Sequence, residues 1–298
     1  FTAVLPHDGD LFREKVRAGV DVINGFGKSA GLMQVAELGQ IETPILLGNT
    51  FSVAAGIEAL VGRALSANAE IGRGTGTVNA LVLECNDGYL SDIRRRRLTA
   101  ADAEAALDAA SGGLVAEGAV GGGTGMSAFG FKGGIGTASR VIDLGGRAFT
   151  LGVLVQANFG NAGDLVLPDG RRRLPPTMPA QPPPERGSVI IVLATDLPLE
   201  SRQLTRIARR GGAGLARLGA FWGHGSGDIA VAFSTADRIA HDGDDAILPL
   251  RVLNENRIDL AFRAAAEATQ EAVLNAMLAA PGTIGRDGHH RPSLADSL

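Results

Sequence analysis

A proline-rich segment that ends at an apolar run constrains the fold more than any other part of this chain. Residues 175–184 include six prolines and lead into Gly187-Ser188, after which Val189–Leu193 is entirely apolar and mostly β-branched. Proline fixes φ and lacks an N–H group, so the segment predicts an exposed, extended connector. The apolar run predicts a strand that is buried on both faces. Ser188 could therefore become a new chain terminus without disturbing the core.

The composition is that of a globular protein with a large core. Of the 298 residues, 45% are hydrophobic, only 4% are aromatic and 42 are glycine. Such a chain buries a sizeable core, and its glycines favour the close backbone packing of an α/β-type enzyme over a module that stacks aromatic rings on a ligand. The net charge of -4, with basic runs only at Arg94–Arg97 and Arg171–Arg173, argues against a nucleic-acid partner.

The sequence leaves the cellular compartment open. No apolar run reaches the roughly 18 residues that cross a bilayer, so we expect no membrane partner. Cys85 is the only cysteine, which excludes an internal disulfide. The chain starts at Phe1 within what reads as the end of a strand, and we expect a native N-terminal segment to precede it. A cytoplasmic location is favoured, and a periplasmic one stays open.

Hydrophobic periodicity predicts strands and helices in one layered α+β body. Thr99, with Asp102 three residues later, predicts a helix start, and Gly145-Gly146 predicts a hairpin turn. Leu11–Ala30 is ambiguous, with helical spacing that glycines interrupt. The predicted strands are Pro44–Leu47, Thr77–Leu83, Arg140–Asp143, Phe149–Gln156, Ser188–Ala194, Asp228–Phe233 and Ile247–Leu253, and the predicted helices are Thr50–Leu65, Leu98–Ala110, Arg202–Leu218 and Ile258–Ala280.

Two short motifs offer competing functions. Gly123–Ala128 fits G-x-G-x-x-A, and Asp143 follows 20 residues after Gly123, as in a dinucleotide-binding fingerprint. The residues before it make a poor strand, so we favour a packed loop and keep nucleotide binding as a remote alternative. Ser226 is a weak nucleophile-elbow candidate, because His224 stands where G-x-S-x-G needs its first glycine.

Polar residues at strand ends are the candidates for chemistry. Glu84 and Asn86 follow one predicted strand and Asn158 follows another; caps and turns are their ordinary role, but a strand-end amide can stabilise an oxyanion. Lys132 is a charge among glycines and apolar residues, either reaching solvent or binding substrate. The histidines show no metal-ligand spacing, so we expect no metal and no cofactor. They are His7, His224, His241, His289 and His290.

Several ordered motifs together resemble the L-aminopeptidase/D-amidase/esterase family, which includes β-aminopeptidases. The resemblance covers nearly the whole chain, from Thr2 onward. The motifs that carry it are Glu84–Asp92, GGGTGM and FKGGIGTASR within Val115–Arg140, LGVLVQANFG at Leu151–Gly160, GSVIIVLATDLP at Gly187–Pro198 and SGDIAVAFST at Ser226–Thr235.

The resemblance implies a self-processing enzyme with an αββα sandwich, similar to the ornithine-acetyltransferase-like fold. Family members cleave themselves at the Gly-Ser bond that matches Gly187-Ser188. The single domain 1–298 would then become an α subunit, 1–187, and a β subunit, 188–298, with 169–187 as the exposed linker. A homo-oligomer of such αβ heterodimers is implied as well.

The same resemblance implies roles for individual residues. Ser188 matches the nucleophile, Ser226 and Asp228 the supporting pair, and Asn158 the oxyanion donor. Glu84 matches the carboxylate near the substrate's free amine. We add Asn86 and Lys132 as substrate-binding candidates, although the family carries tyrosine at the Asn86 position and some members carry glutamate at that of Asp228.

The implied chemistry is coherent without a histidine. A free α-amino group has a pKa of about 7.7 to 8.0, so the amine of a terminal Ser188 can accept the proton of its own hydroxyl. The expected substrate is a short peptide, amide or ester. An acyltransferase of the ornithine-acetyltransferase type is the main alternative, although those enzymes commonly use threonine.

Overall fold

Two β-sheets form the centre of the fold in the computed structural model, which describes residues 1–178, 184–243 and 245–298. The helices are α1 (Leu32–Leu38), α2 (Val53–Ala67), α3 (Ala100–Asp108), α4 (Ser201–Ala216) and α5 (Asp259–Leu278). The strands are β1 (Thr2–Val4), β2 (Glu14–Gly25), β3 (Gln40–Ile41), β4 (Ile45–Asn49), β5 (Leu81–Cys85), β6 (Ser127–Ala128), β7 (Phe131–Lys132), β8 (Gly134–Asp143), β9 (Ala148–Asn158), β10 (Ser188–Thr195), β11 (Gly227–Ala240), β12 (Thr283–Ile284) and β13 (His290–Arg291).

The larger sheet contains six strands in the order β3-β2-β11-β10-β9-β8. Within it β10 and β11 run parallel, and the other neighbours are antiparallel. The smaller sheet has the order β1-β4-β5, with β4 and β5 parallel. Mixed sheets with flanking helices confirm the α+β class.

The two sheets face each other, and helices cover their outer faces. One hydrophobic cluster joins α4 and α5 to the larger sheet, a second fills the space between the sheets, and a third joins α2 and α3 to the smaller sheet. The order of layers is therefore helix, sheet, sheet, helix, and β10 lies within the larger sheet with a partner on each side.

Strand β10 is buried on both faces, as its sequence predicts. Val189, Ile191 and Leu193 lie in the cluster beneath α4 and α5, whereas Ile190 and Val192 lie between the sheets. This alternation is the period of two that a strand imposes. Ser188 is the first residue of the strand, so the apolar core of the strand begins only after it, on its C-terminal side.

Local signals predict several boundaries correctly. Strands β8 and β9 form the expected hairpin, and Gly145 and Gly146 both have positive φ, as a two-residue type I′ turn requires. Thr99 caps α3 in a reciprocal capping box with Asp102.

Two segments differ from what their sequences indicate. The ambiguous stretch Leu11–Ala30 contains the long strand β2, which pairs with β11. Ile247–Leu253 is not a strand; Ile247 is 87% exposed, and the segment pairs with no strand in the described part of the chain. Its apolar content suggests a strand, but no alternating burial supports one.

The connector, residues 169–187, contains no helix or strand in its described part. Residues 169–178 and 184–187 contain turns, bends and one isolated bridge at Arg172. Pro179, Pro182 and Pro183, which belong to the predicted extended run, lie outside the described residues.

Close backbone approach explains much of the glycine content. A Cβ at Gly136 of β8 would overlap the carbonyl oxygen of Ala272 and lie 2.8 Å from the Cα of Ala276, both in α5. A glycine there lets the helix rest directly on the strand. Helices α4 and α5 approach in the same way, because a Cβ at Gly214 would lie 2.5 Å from the Ala266 carbonyl oxygen.

We expect Gly136→Ala to lower the free energy of unfolding by about 3 kcal/mol, because the added methyl must push α5 away from β8. Gly152→Ala is the matched control in β9, since its Cβ would meet only the Ala194 carbonyl oxygen, at 4.0 Å. Urea denaturation of both variants measures the difference. Equal stability of the two would contradict this account of the packing.

Candidate active site

Ser188 is the first residue of β10, the strand that lies between β9 and β11 in the larger sheet. It pairs with Asn158 of antiparallel β9 and with Gly227 of parallel β11. The residue is only 3% exposed, yet it lines a cavity of about 650 Å³. Its hydroxyl accepts a hydrogen bond from the backbone N–H of Asn86, 3.1 Å away. Ser188 is therefore a positioned hydroxyl that faces an accessible cavity.

Gly187 has no room for a side chain. A Cβ there would lie 2.5 Å from the Asn158 carbonyl oxygen and 2.7 Å from the Phe159 Cα. The Gly187 carbonyl accepts a hydrogen bond from the Gly227 N–H at 3.2 Å. The peptide bond before Ser188 is thus held against both neighbouring strands.

The side chain of Asn158 is held in one orientation. Its Oδ1 accepts from the Ser127 N–H, and its Nδ2 donates to the Asn86 carbonyl, both at 2.9 Å. A primary amide has two N–H donors, so one remains for another acceptor. Because Asn158 lies opposite Ser188 in the ladder, the structure brings these two predicted residues together.

Ser226 and Asp228 form a buried pair beside the start of β10. Both are 0% exposed, and the Ser226 hydroxyl donates to Asp228 Oδ1 at 2.6 Å. The other oxygen of Asp228 has no hydrogen-bond partner among the described residues. Burial, reinforced by the negative charge of Glu185 and opposed by the Ser226 hydroxyl, raises the pKa of Asp228 to about 7. Ser226 is thus inaccessible to a substrate and serves to orient Asp228.

Glu84 is a buried carboxylate on the wall of the same cavity. It is 3% exposed and accepts hydrogen bonds from the Lys28 N–H, at 2.7 Å, and from the Thr50 hydroxyl. Within the described ranges it makes no ion pair. We call this space the Glu84 cavity; it is lined by Phe26, Lys28, Thr50, Glu84, Asn86, Asn161, Pro184–Ser188, Phe221 and Gly223–Gly225.

Asn86 contributes through its backbone. Its N–H donates to Ser188 and its carbonyl accepts from Asn158, while its side-chain Oδ1 accepts from the Gly88 N–H at 3.0 Å. The side chain is exposed and the residue lines the cavity, and its role in substrate binding stays a prediction.

Lys132 requires a correction. The residue is 0% exposed, and its ammonium donates to the carbonyls of Gly123, Met126 and Gly133 at 2.7 to 2.9 Å. These three bonds use all three donors of the group. Burial lowers the pKa of Lys132 to about 8. Lys132 therefore stabilises the loop that contains Gly123 and Met126 and is not placed to bind substrate.

The competing motifs do not form the sites that they suggest. Gly121–Gly123 forms a short 3-10 turn that follows no strand, and a Cβ at Gly123 would lie 2.5 Å from the Ile135 nitrogen. The Gly123–Ala128 segment is therefore a tightly packed turn that leads into the short strand β6. The Cys85 thiol is fully buried, and burial raises its pKa, so it supplies no thiolate. Across residues 1–178, 184–243 and 245–298, no three metal-ligating side chains are grouped to hold an ion.

Sequence reasoning missed Glu185. This carboxylate is 7% exposed; one oxygen accepts from the Gly160 N–H at 2.7 Å and the other from the Gly223 N–H at 2.8 Å. It ties the end of the connector to two loops that flank Ser188. The sequence offers one signal, an acidic residue that follows the proline run three residues before Ser188. It does not reveal the role of Glu185, because the hydrogen-bond partners of this residue are distant in sequence.

The fold and the site define a hydrolase, and comparison with known proteins agrees. A family model described as Peptidase family S58 matches residues 1–291. The chain belongs to this family, which confirms the expected serine aminopeptidase or amidase class. The nucleotide-binding alternative is not favoured.

Individual relatives are similar over most of the chain. Beta-peptidyl aminopeptidase BapA from Sphingosinicella microcystinivorans is 38% identical over 303 residues, which cover 97% of this chain and 75% of the relative. The PH0078 protein from Pyrococcus horikoshii OT3 has a TM-score of 0.91 and 47% identity, covering 98% of this chain and 81% of the other. The L-aminopeptidase D-Ala-esterase/amidase from Ochrobactrum anthropi, described as a variant of the Ntn hydrolase fold, has a TM-score of 0.88 and 38% identity, with coverages of 98% and 81%.

None of the helices in the described residues is long and apolar enough to span a bilayer.

We expect Asp228 to make stability depend on pH. Its pKa is about 7 in the folded chain and 3.8 ordinarily, so the folded state keeps a proton that the unfolded state releases. The contribution of Asp228 to the free energy of unfolding therefore falls as pH rises from about 4 to about 7, and is constant above that.

Asp228→Asn removes this dependence. In a Ser188→Ala background, which eliminates the expected cleavage, the asparagine variant should gain on the order of 2 kcal/mol relative to its parent between pH 5 and pH 8. Urea denaturation at both pH values measures the gain. Asp8→Asn, at an exposed side chain, should show no such change; a flat difference for Asp228→Asn would overturn the assigned environment.

Proposed function

We propose that this chain is a self-processing serine aminopeptidase and amidase that uses Ser188 as its nucleophile. The observation that carries the proposal is the placement of Ser188, at the head of a buried strand and directly after the connector, between Asn158 and the Ser226–Asp228 pair. The layer order supports an αββα sandwich similar to the ornithine-acetyltransferase-like fold. The processed form would consist of subunits 1–187 and 188–298, and we propose that these heterodimers assemble into a homo-oligomer.

Processing begins with attack of Ser188 Oγ on the carbonyl carbon of Gly187. The Oγ proton passes to the nitrogen of Ser188 as the C–N bond breaks, which leaves an ester between Gly187 and Ser188. Water then hydrolyses the ester, giving a Gly187 carboxylate and a Ser188 with a free amine and hydroxyl. The hydrogen bond from the Gly227 N–H to the Gly187 carbonyl polarises the bond under attack.

Substrate turnover uses the amine that processing creates. In its neutral form this amine accepts the Oγ proton while Oγ attacks the substrate carbonyl. The second N–H of Asn158 is the proposed oxyanion donor. The Asp228 carboxylate, oriented by Ser226, would balance the charge of the resulting ammonium. The ammonium then protonates the leaving amine, and water releases the acyl group.

Glu84 is the proposed partner of the substrate's own amino group. It is a buried carboxylate that makes no ion pair among the described residues, and it shares a cavity with Ser188. A substrate ammonium would neutralise it at hydrogen-bonding distance. The substrates are therefore short peptides, amides or esters with a free amine, and the similarity to a beta-peptidyl aminopeptidase supports including β-amino acyl groups.

Ser188→Ala should leave one uncut chain and abolish hydrolysis, because it removes the nucleophile of both steps. Denaturing electrophoresis and N-terminal sequencing of the wild type should show fragments that end at Gly187 and begin at Ser188. Ser66→Ala, on the exposed face of α2, is the control and should behave as wild type. Hydrolysis by uncut wild-type protein, or by the Ser188→Ala variant, would rule out the mechanism.

Glu84→Gln should lower kcat/KM for aminoacyl nitroanilides by about 10- to 100-fold, since a charge-assisted hydrogen bond of roughly 1.5–3 kcal/mol is lost. Processing should continue, because the bond before Ser188 presents no free amine to Glu84. The matched substrate is the corresponding acyl nitroanilide without the amino group, whose rate should not fall. An equal loss for both substrates would mean that Glu84 supports the fold instead of the amine.

A further inference from the structure

A second cavity lies on the other side of the segment that precedes Ser188. It has a volume of about 760 Å³ and shares Asn86, Asn161 and residues 184–187 with the Glu84 cavity. Asn158 of β9 and Ser127 of β6 line it, and so do residues 288–292, which include β13. We call it the Arg291 cavity.

Arg291 lines this cavity, and contacts with neighbouring residues hold its side chain in place. Its guanidinium carbon lies 3.6 Å from the centroid of the Tyr89 ring, and the ring of His289 stacks on Tyr89 with a centroid distance of 4.6 Å. His289 also donates a hydrogen bond from Nδ1 to the Tyr89 carbonyl at 2.7 Å. The Pro292 carbonyl accepts from the Lys132 N–H at 2.9 Å. These contacts hold the guanidinium in place before any ligand binds.

The charge of Arg291 is not balanced by its surroundings. Among the described residues it makes no ion pair, and its Nε is buried without a hydrogen-bond partner. The one carboxylate on the described wall of the cavity is Glu185, whose two oxygens accept from Gly160 and Gly223. Burial also lowers the pKa of Arg291 from its ordinary value. An anionic ligand group would relieve this cost.

The two cavities define the direction of a bound substrate. If the substrate amine binds Glu84, its acyl group occupies the Glu84 cavity and its carbonyl lies at Ser188. The leaving group must then extend to the other side, past Asn86 and Asn158, which is where the Arg291 cavity begins. A volume of about 760 Å³ accommodates one or two amino-acid residues.

We propose that the Arg291 cavity is the leaving-group subsite and that Arg291 binds the C-terminal carboxylate of a short peptide substrate. The inference rests on the proposed function and deepens it: the preferred substrates are dipeptides and tripeptides with a free carboxylate. Arginine suits this task because its planar fork matches a carboxylate, and stacking on Tyr89 keeps that fork oriented.

The test compares a dipeptide that has a free carboxylate with its C-terminal amide. Arg291→Gln should lower kcat/KM for the acid by about 10- to 100-fold, as expected for one charge-assisted pair, and should change the rate with the amide by less than about threefold. Arg291→Lys, which keeps the charge without the fork, should fall between wild type and Arg291→Gln with the acid. Retained hydrolysis of the amide shows that each variant folds.

Arg147→Gln is the matched control, because Arg147 also stacks on an aromatic ring, that of Phe149 at 4.8 Å, but at the turn of the β8–β9 hairpin. It should not distinguish the two substrates. An equal loss for acid and amide in Arg291→Gln, or no loss, would overturn the subsite while Ser188-dependent hydrolysis upheld the proposed function. Wild-type protein that hydrolyses neither substrate would overturn both.

Discussion

The pairing of β10 with β9 and β11 is the constraint on which the whole site depends. It sets Ser188 opposite Asn158 on one side and Gly227 on the other. A slip of one residue would turn Ser188 toward the opposite face and move the apolar residues behind it out of their clusters. The double-sided burial of Val189–Leu193 makes such a slip costly, so the core of the sheet fixes the position of Ser188, the proposed nucleophile.

Three carboxylates near this strand are buried and make no ion pair among the described residues. Glu185 is satisfied by two backbone N–H groups, which suits a permanent structural tie. Asp228 has only the Ser226 hydroxyl on one oxygen and keeps the other unpartnered within the described chain, and Glu84 has two donors at the edge of a cavity. Buried charge of this kind is costly unless it is paired. Under the proposed function, the Ser188 amine and the substrate amine supply the missing cations.

The sequence predicts the parts of this structure that local rules determine. The hairpin at Gly145-Gly146, the capping box at Thr99 and the buried strand after Ser188 all follow from a few adjacent residues. Lys132 and Glu185 could not be assigned in this way, because their partners are carbonyl and N–H groups of loops brought together only by the fold. Arg291 depends on a hairpin that contacts Tyr89 from about 200 residues away. Ile247–Leu253 shows the converse: its composition suits a strand, but it pairs with no strand among the described residues.

Cleavage after Gly187 would change both the chemistry and the shape of the site. In the intact chain the nitrogen of Ser188 belongs to an amide, which is not a base, and residues 184–187 form the wall between the Glu84 cavity and the Arg291 cavity. A substrate that spans Glu84, Ser188 and Arg291 needs the space on both sides of that wall. After such a cut, the segment would keep the hydrogen bonds of Glu185 and of the Gly187 carbonyl but would lose its covalent bond to Ser188. Under the proposed function, the event that produces the amine would therefore also free the end of the segment, so that activation would depend on a single covalent step.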